Sequence, residues 1–189
     1  ANPALYRQAA GQFQRPATLD PTFTPAMLML ASIYGLGNRY DEALEVIGQT
    51  RTNRGFGLLT PNERVELSLG EAGARLARGE SEPATKIING ILAVRTNEPV
   101  VLERVFSLYV SGRLFTNALS IVARQQALSP TNASPFLNEG YLWMQLGLYS
   151  NALPALTRAL SLDSNSVHAR FNRAFALLRG FDVVIHAGN

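Results

Sequence analysis

The sequence predicts an all-α solenoid of helix–turn–helix hairpins, about ten helices in all, and three observations carry that expectation. An alanine returns in register at Ala9, Ala43, Ala84, Ala118 and Ala152, at intervals of 34 residues with one interval of 41. Four residues after each comes a large apolar residue (Phe13, Ile47, Ile88, Val122, Leu156). Three residues before four of them stands an aromatic (Tyr6, Tyr40, Phe115, Tyr149), Ser81 being the exception. Offsets of minus three and plus four share one helical face, and a small residue at its centre lets a second helix come close. That second helix is the next observation. Twelve residues before the alanines stand Ala31, Ala72, Phe106 and Gly140, and nine before them Tyr34, Arg75, Tyr109 and Trp143, with Ala174 and Leu177 continuing the register. The last observation is a glycine between the helices, at Gly37, Gly79, Gly112, Gly147 and then Gly180, where a left-handed residue would close the first helix.

Each element follows in order. Residues 1–23 read as the second half of a repeat, from Tyr6 and Ala9 through Phe13 to Asp20-Pro21. A full repeat spans 24–57, opened by Thr24-Pro25. The seven extra residues of the long interval fall in 51–64, "RTNRGFGLLTPNER", where Gly55, Gly57 and Pro61 oppose a continuous helix. Arg51, Arg54 and Arg64 would keep this connection solvated while Phe56 and Leu58 tack it down. Loops that interrupt a regular array often carry function, so Arg54, Phe56 and Leu58 form a secondary contact candidate. Repeats follow at 65–98, 99–132 and 133–166. Thr60 with Glu63 fits a capping box before the first of these. Ser134-Pro135 offers a capping hydroxyl before the last, and Pro154 is expected in the first turn of its helix. Phe106, in a small-residue column, should splay its hairpin. Residues 167–189 read as a partial repeat through Ala174 and Leu177 to Gly180, after which "FDVVIHAGN" stops short of a second helix. The expectation is therefore one solenoid over 1–189.

The stretch "FLNEGYLWMQLGLYSNALPALTRALSLDSN" resembles the tetratricopeptide repeat through Phe136, Glu139-Gly140, Trp143, Ala152, Leu156 and, in the proline place, Ser164. "MLMLASIYGLGNRYDEALEVI" is similar to it through Met27, Leu30-Ala31, Tyr34, Ala43 and Ile47. Residues 65–98 and 99–132 match more weakly, with Glu71 and Arg75 in place of an apolar and an aromatic residue. The resemblance implies a right-handed superhelix whose first helices line a concave face. Its inner positions would be Leu28, Ser32, Leu69, Gly73, Glu103, Ser107, Leu137, Tyr141, Phe171 and Phe175, flanked by Met29, Asn138 and Met144. Some members of the family grip a partner's C-terminal carboxylate there with lysine and asparagine. Here Leu28, Leu69, Glu103, Leu137 and Phe171 occupy the lysine column, so that clamp is absent.

Composition agrees with a packed helical array. Apolar residues make up 47% of the 189, enough for a continuous core, and the length suits one solenoid or at most two ordinary domains. The longest apolar run, Ala26–Leu30 extending loosely to Leu36, is too short to span a membrane. No signal-peptide pattern is present, and a chain opening "ANPALY" is expected to be a processed product or a piece of a longer one. The absence of cysteine excludes disulfides and thiolate metal sites and leaves the compartment open. Sixteen of the seventeen basic residues are arginine, with Lys86 the only lysine. Residues 1–103 carry ten basic and eleven acidic groups, residues 104–189 seven and three. The seven (Arg104, Arg113, Arg124, Arg158, Arg170, Arg173, Arg179) are spread over several helices, not the dense stripe of a nucleic-acid surface.

Catalytic constellations are poor, so no enzyme is expected. His168 and His186 have no carboxylate at metal-ligand spacing. "GLGNRY" and "GFGLLT" lack the third glycine and the strand of a dinucleotide site and read as turns. Asn132-Ala-Ser134 is a formal glycosylation sequon, and Glu71–Arg75 reads as a plain i, i+4 ion pair. No cofactor or metal is implied. The expected function is a protein-interaction scaffold binding an apolar helix or peptide through Leu137, Tyr141, Met144, Phe171 and Phe175. An alternative is head-to-tail self-assembly into a filament or ring, joining Leu5 and Phe13 at one end to Phe171 and Phe175 at the other. Another is a recruiting domain of a larger enzyme such as a glycosyltransferase or peptidase. The expected partner is a protein or peptide, or a second copy of the chain, with no nucleic acid and no membrane span.

Overall fold

The computed structural model describes residues 3–20 and 23–187, and among these there are ten α-helices and no strand. In chain order they are α1 (Pro3–Leu19), α2 (Thr24–Leu36), α3 (Tyr40–Thr52), α4 (Pro61–Ala77), α5 (Ser81–Val94), α6 (Pro99–Ser111), α7 (Phe115–Leu128), α8 (Ala133–Gln145), α9 (Tyr149–Leu162) and α10 (Val167–Ala187). Two compact units divide them, residues 1–96 and 97–189. In the first, α1 packs on α2, α2 pairs with α3, α4 pairs with α5, and α4 rests on α2 and α3. In the second, α6 pairs with α7, α8 with α9, and α10 lies on α9 and touches α8.

The alanine register is the packing register. Ala43, Ala84, Ala118 and Ala152 are at most 1% exposed, and their partners four residues on, Ile47, Ile88, Val122 and Leu156, are at most 3% exposed. Ala9 is only half-buried, because α1 has no first helix of its own among the described residues; Ala10 turns to α2 instead. The closest approach is Gly140 of α8 against Leu156 of α9, where an added Cβ would land on the leucine side chain. Phe106 is buried in its small-residue column, and the α6–α7 contact is the least extensive of the four hairpins.

The turns obey a sharper rule than the glycines suggested. The left-handed residue lies five before each alanine: Asn38 (φ 59°), Gly79 (φ 79°), Arg113 (φ 57°) and Gly147 (φ 75°). Gly37 and Gly112 sit one position earlier with ordinary negative φ. All four hairpins share one closing bond, from the N–H after the left-handed residue to the carbonyl five back. These are Arg39 to Tyr34, Glu80 to Arg75, Leu114 to Tyr109 and Leu148 to Trp143, at 2.8–2.9 Å. The bond fixes the backbone at that position, whichever side chain stands there.

Among the local expectations the capping box holds and several others are corrected. Thr60 and Glu63 form the full capping box, with Glu63 N–H donating to Thr60 Oγ1 at 3.2 Å and Thr60 N–H to Glu63 Oε2 at 2.8 Å. Thr24, by contrast, is buried inside the first turn of α2, with no side-chain cap at Phe23. Asn132 rather than Ser134 caps α8, its Oδ1 accepting from Ser134 N–H at 3.0 Å. Pro154 is the sixth residue of α9, so one interior helical bond is missing there. The connection between α3 and α4 is shorter than 51–64, because α3 runs to Thr52 and residues Arg54–Leu58 form a 3₁₀ turn. Gly180 does not end its helix, which continues to Ala187; Pro21 and the last two residues, 188 and 189, lie outside the described residues.

Candidate interaction surface

On α8, Leu137, Tyr141 and Met144 stand at i, i+4 and i+7 and share a face. On α10, Phe171 and Phe175 repeat the first two of those steps. Because α10 lies on α9 and touches α8, the two sets stand on adjacent first helices of one unit. Leu137 and Met144 are half-buried, packed on a cluster of Ala152, Leu156 and Ala176. Tyr141, Phe171 and Phe175 remain 37%, 67% and 39% exposed. The five residues therefore divide into two that seat the helices and three that face solvent.

The aromatic rings form a connected row. Phe171 and Phe175 are stacked with centroids 6.4 Å apart, and Phe175 meets Tyr149 edge-on at 6.2 Å. The Arg179 guanidinium lies 5.8 Å over the Tyr149 ring. Leu178, 63% exposed, completes the i, i+4, i+7 pattern of α10. The sequence reading overlooked it, although the Leu137–Tyr141–Met144 spacing points to it. Nearby, Glu139 accepts from Gln126 Nε2 at 2.7 Å and Trp143 Nε1 at 3.3 Å, tying α7 to α8.

The continuation of the first-helix columns onto α10 is corrected. Ala174 and Leu177 are exposed, and the buried alanines are Ala169 and Ala176. In the other first helices the equivalents of Ala174, namely Ala31, Ala72, Phe106 and Gly140, are buried, and Gly140 meets Leu156 of its own second helix. No second helix covers α10 among the described residues, and over 167–180 only Ala169 and Ala176 are buried. At the opposite end Leu5 is 62% exposed, whereas Phe13 is half-buried against the core of the first unit. Of the two residues named there, Leu5 alone is freely presented.

The secondary loop is differently built from its expectation. Leu58 is 82% exposed and anchors nothing; Leu59, 4% exposed, is the anchor, with Phe56 half-buried beside it. Arg54 is exposed. Arg64 is part of the scaffold, donating to the Gly57 and Leu59 carbonyls and lying 5.3 Å over Phe56.

Glu71 and Arg75 are more than an intrahelical pair. Glu71 also binds Arg51 of α3 at 2.7 Å, Arg75 binds Glu80 at 2.8 Å, and Arg78 joins Glu80 to Asp41. The Glu71 carboxylate beside it holds the Arg75 guanidinium above its ordinary value. The network ties α3, α4 and the start of α5, so these charges are structural. A cavity of about 660 Å³ opens against α2 and α3, but its Arg39 is already paired with Glu42 at 2.7 Å and laid over Tyr34. The Arg39 hydrogen bond holds the Glu42 carboxyl below its usual range. Among the described residues no group of three or more His, Asp or Glu side chains could hold a metal, and no helix is long and apolar enough to cross a membrane. His168 is exposed, and the His186 side chain lies outside the described residues.

No family model matches the chain. It is 26% identical over 178 residues to the anaphase-promoting complex subunit cut9 of Schizosaccharomyces pombe (strain 972), which covers 90% of this chain. The chain spans 25% of that relative's length. In structure it is similar to YrrB, described as a TPR protein with an unusual peptide-binding site (TM-score 0.61, 15% identity, 90% of this chain and 84% of that one). It is similar as well to the APC/C hetero-tetramer Cut9–Hcn1 (TM-score 0.60, 18% identity, 93% and 33%). A third likeness is to TTC0263, a thermophilic TPR protein of Thermus thermophilus (TM-score 0.55, 18% identity, 92% and 91%). The fold is that of the tetratricopeptide-repeat proteins.

Proposed function

We propose that this chain, tetratricopeptide-like in fold, is a non-catalytic protein-interaction scaffold that binds an apolar helix or extended peptide along α8 and α10. The observation that carries the reading is the exposure of Tyr141 on α8 and of Phe171, Phe175 and Leu178 on α10, with the two phenylalanines stacked on each other. Covering a large apolar side chain completely contributes at most about 1.5–3 kcal/mol, and aromatic anchors dominate such contacts. The likeness to YrrB, itself described as having a peptide-binding site, supports a peptide as occupant.

The test is a phage-displayed library of amphipathic helices selected on the intact chain. Tyr141→Ala and Phe175→Ala should each weaken the selected peptides about tenfold, on the order of 1.4 kcal/mol. Selected peptides that ignore both substitutions would place the binding face elsewhere.

Head-to-tail self-assembly is a second reading, favoured by the exposure of Leu177 (49%) and Leu178 (63%) on the uncovered side of α10. A heterologous contact of this kind grows into an open filament or a ring. Sedimentation velocity at micromolar concentration should then show species that Phe171→Asp and Leu177→Asp abolish. A strict monomer ends this reading.

A further inference from the structure

Arg170, Arg173, Ala174 and Leu177 stand at i, i+3, i+4 and i+7 of α10, on one face, and all four are exposed. In the complete hairpins the same four columns seat the second helix. In α2 they hold Met27, Leu30, Ala31 and Tyr34, and in α6 Leu102, Val105, Phe106 and Tyr109, none more than 9% exposed. In α8 two of them, Phe136 and Gly140, meet Arg158 and Leu156 of α9. The face of α10 is therefore a seat for a helix, with two guanidiniums where α2 and α6 have apolar side chains.

α4 shows how the array holds charge in this seat. Its columns carry Ser68, Glu71, Ala72 and Arg75. Glu71, with a side chain 13% exposed, is paired with both Arg51 and Arg75, at 2.7 and 2.9 Å. On α10 the guanidiniums meet no carboxylate. Arg170 donates to the Ser164 carbonyl, Arg173 has no hydrogen-bond or ionic partner among the described residues, and no acidic residue stands in 164–180. A helix laid here takes both guanidiniums out of water, and burying an unpaired charge is strongly unfavourable. The occupant must bring carboxylates. A second copy stacked head to tail does not: α1 has no acidic residue over Pro3–Leu19, and its Arg7 and Arg15 are exposed. That contact adds like charge.

We infer that the open face of α10 receives an acidic amphipathic helix of a partner protein, with apolar residues on Ala174 and Leu177 and carboxylates on Arg170 and Arg173. The seat calls for a helix, because every other first helix fills these columns with one. The two unpaired guanidiniums call for acidity. The contact lies beyond the aromatic surface of Tyr141, Phe171 and Phe175 and shares with it only the scaffold role, so either can fail alone.

Three labelled alanine-rich peptides of about 20 residues, long enough to hold a helix in isolation, test this. They share leucines at i, i+3, i+4 and i+7 and differ only in carrying glutamate, glutamine or lysine beside that seam. Fluorescence anisotropy is read against the intact chain. The glutamate peptide should bind at least about tenfold more tightly than the glutamine peptide, and the lysine peptide should be weakest. The glutamate advantage should shrink as salt rises to about 0.5 M. Arg170→Gln combined with Arg173→Gln should close the gap to within about twofold, with the helical spectrum unchanged. Arg113→Gln, which removes an exposed arginine elsewhere in the unit, should leave the gap as it is, and so should Tyr141→Ala and Phe175→Ala. Absence of saturable binding by the glutamate peptide, equal affinity for the glutamate and glutamine peptides, or a gap indifferent to the arginine pair overturns the assignment. So does a chain that sediments as an oligomer and takes up peptide only as it dissociates, which would give the seat to a second copy.

Discussion

At single residues the repeat imposes a backbone and the side chain must comply. Arg113 holds the left-handed conformation that Gly79 and Gly147 hold in their hairpins. A non-glycine residue there costs about 1–2 kcal/mol, and the Arg113 side chain is exposed. Arg113→Gly should therefore raise stability by roughly 1 kcal/mol, read as a rise in the chemical-denaturation midpoint; a fall would mean the arginine side chain outweighs the strain. Gly140 is the opposite case. Alanine gains about 1 kcal/mol of helix propensity, but overpacking against Leu156 costs about 1–3 kcal/mol. The collision is with the branch point of a fully buried leucine, so Gly140→Ala should destabilise. Ala118→Leu and Ala152→Leu should cost about 1–3 kcal/mol each for the same reason, and melting curves unchanged by both would contradict the packing register. Gln125→Leu should stabilise, since Gln125 Oε1 is buried and has no hydrogen-bond partner, and a buried unpaired polar atom costs about 1–3 kcal/mol.

At the scale of elements, helix starts and connections differ in how much they hold. Among the described residues α4 alone begins with a complete capping box. Thr60→Ala should cost about 1 kcal/mol, measured by denaturation at neutral pH. The Thr60 hydroxyl and N–H hold the Glu63 carboxyl below its usual range. A carboxylate with a lowered folded pKa contributes fully above the ordinary carboxylate value, and that contribution is lost as pH falls through the lower folded one. The acid limb of the stability curve should accordingly shift in Thr60→Ala, while the neutral plateau drops. The loop before α4 is locked by Leu59, Asn53 Oδ1 accepting from Gly55 N–H, and Arg64 bonding two loop carbonyls. As a contact site it would act through Arg54 and Leu58. Deleting residues 53–59 and finding every partner's affinity unchanged would remove it from consideration.

At the scale of the whole molecule the arginines matter more for what they already touch than for net charge. In residues 104–189 Arg158 lies over Phe136, Arg170 binds the Ser164 carbonyl and Arg179 lies over Tyr149. Scattered and engaged, they make a poor phosphate stripe. A labelled DNA duplex should show no saturable anisotropy change at about 0.15 M salt; saturable binding with a steep salt dependence would contradict this.

The sequence by itself determined the helical hairpins, their number and the residues at their crossings. Those depend on a period and on side-chain size, and both are written in the order of Ala43, Ala84, Ala118 and Ala152. Helical spacing put Leu137, Tyr141 and Met144 on one face and Phe171 and Phe175 on another; joining the two into one surface came from the resemblance to the tetratricopeptide repeat. Tertiary structure decided what each of them does. Leu137 and Met144 are spent on packing while Tyr141, Phe171 and Phe175 face solvent, since burial depends on which neighbouring helix is present. For the same reason Ala174 and Leu177 stand exposed although their column is buried elsewhere. The left-handed position at Asn38 and Arg113 was hidden because a backbone bond to the carbonyl five residues back, not a glycine, selects it. The hydrogen bond from Gln125 to Glu103 was legible only as two separate column exceptions. Their contact crosses from α6 to α7, and no local periodicity records which two exceptions will face each other.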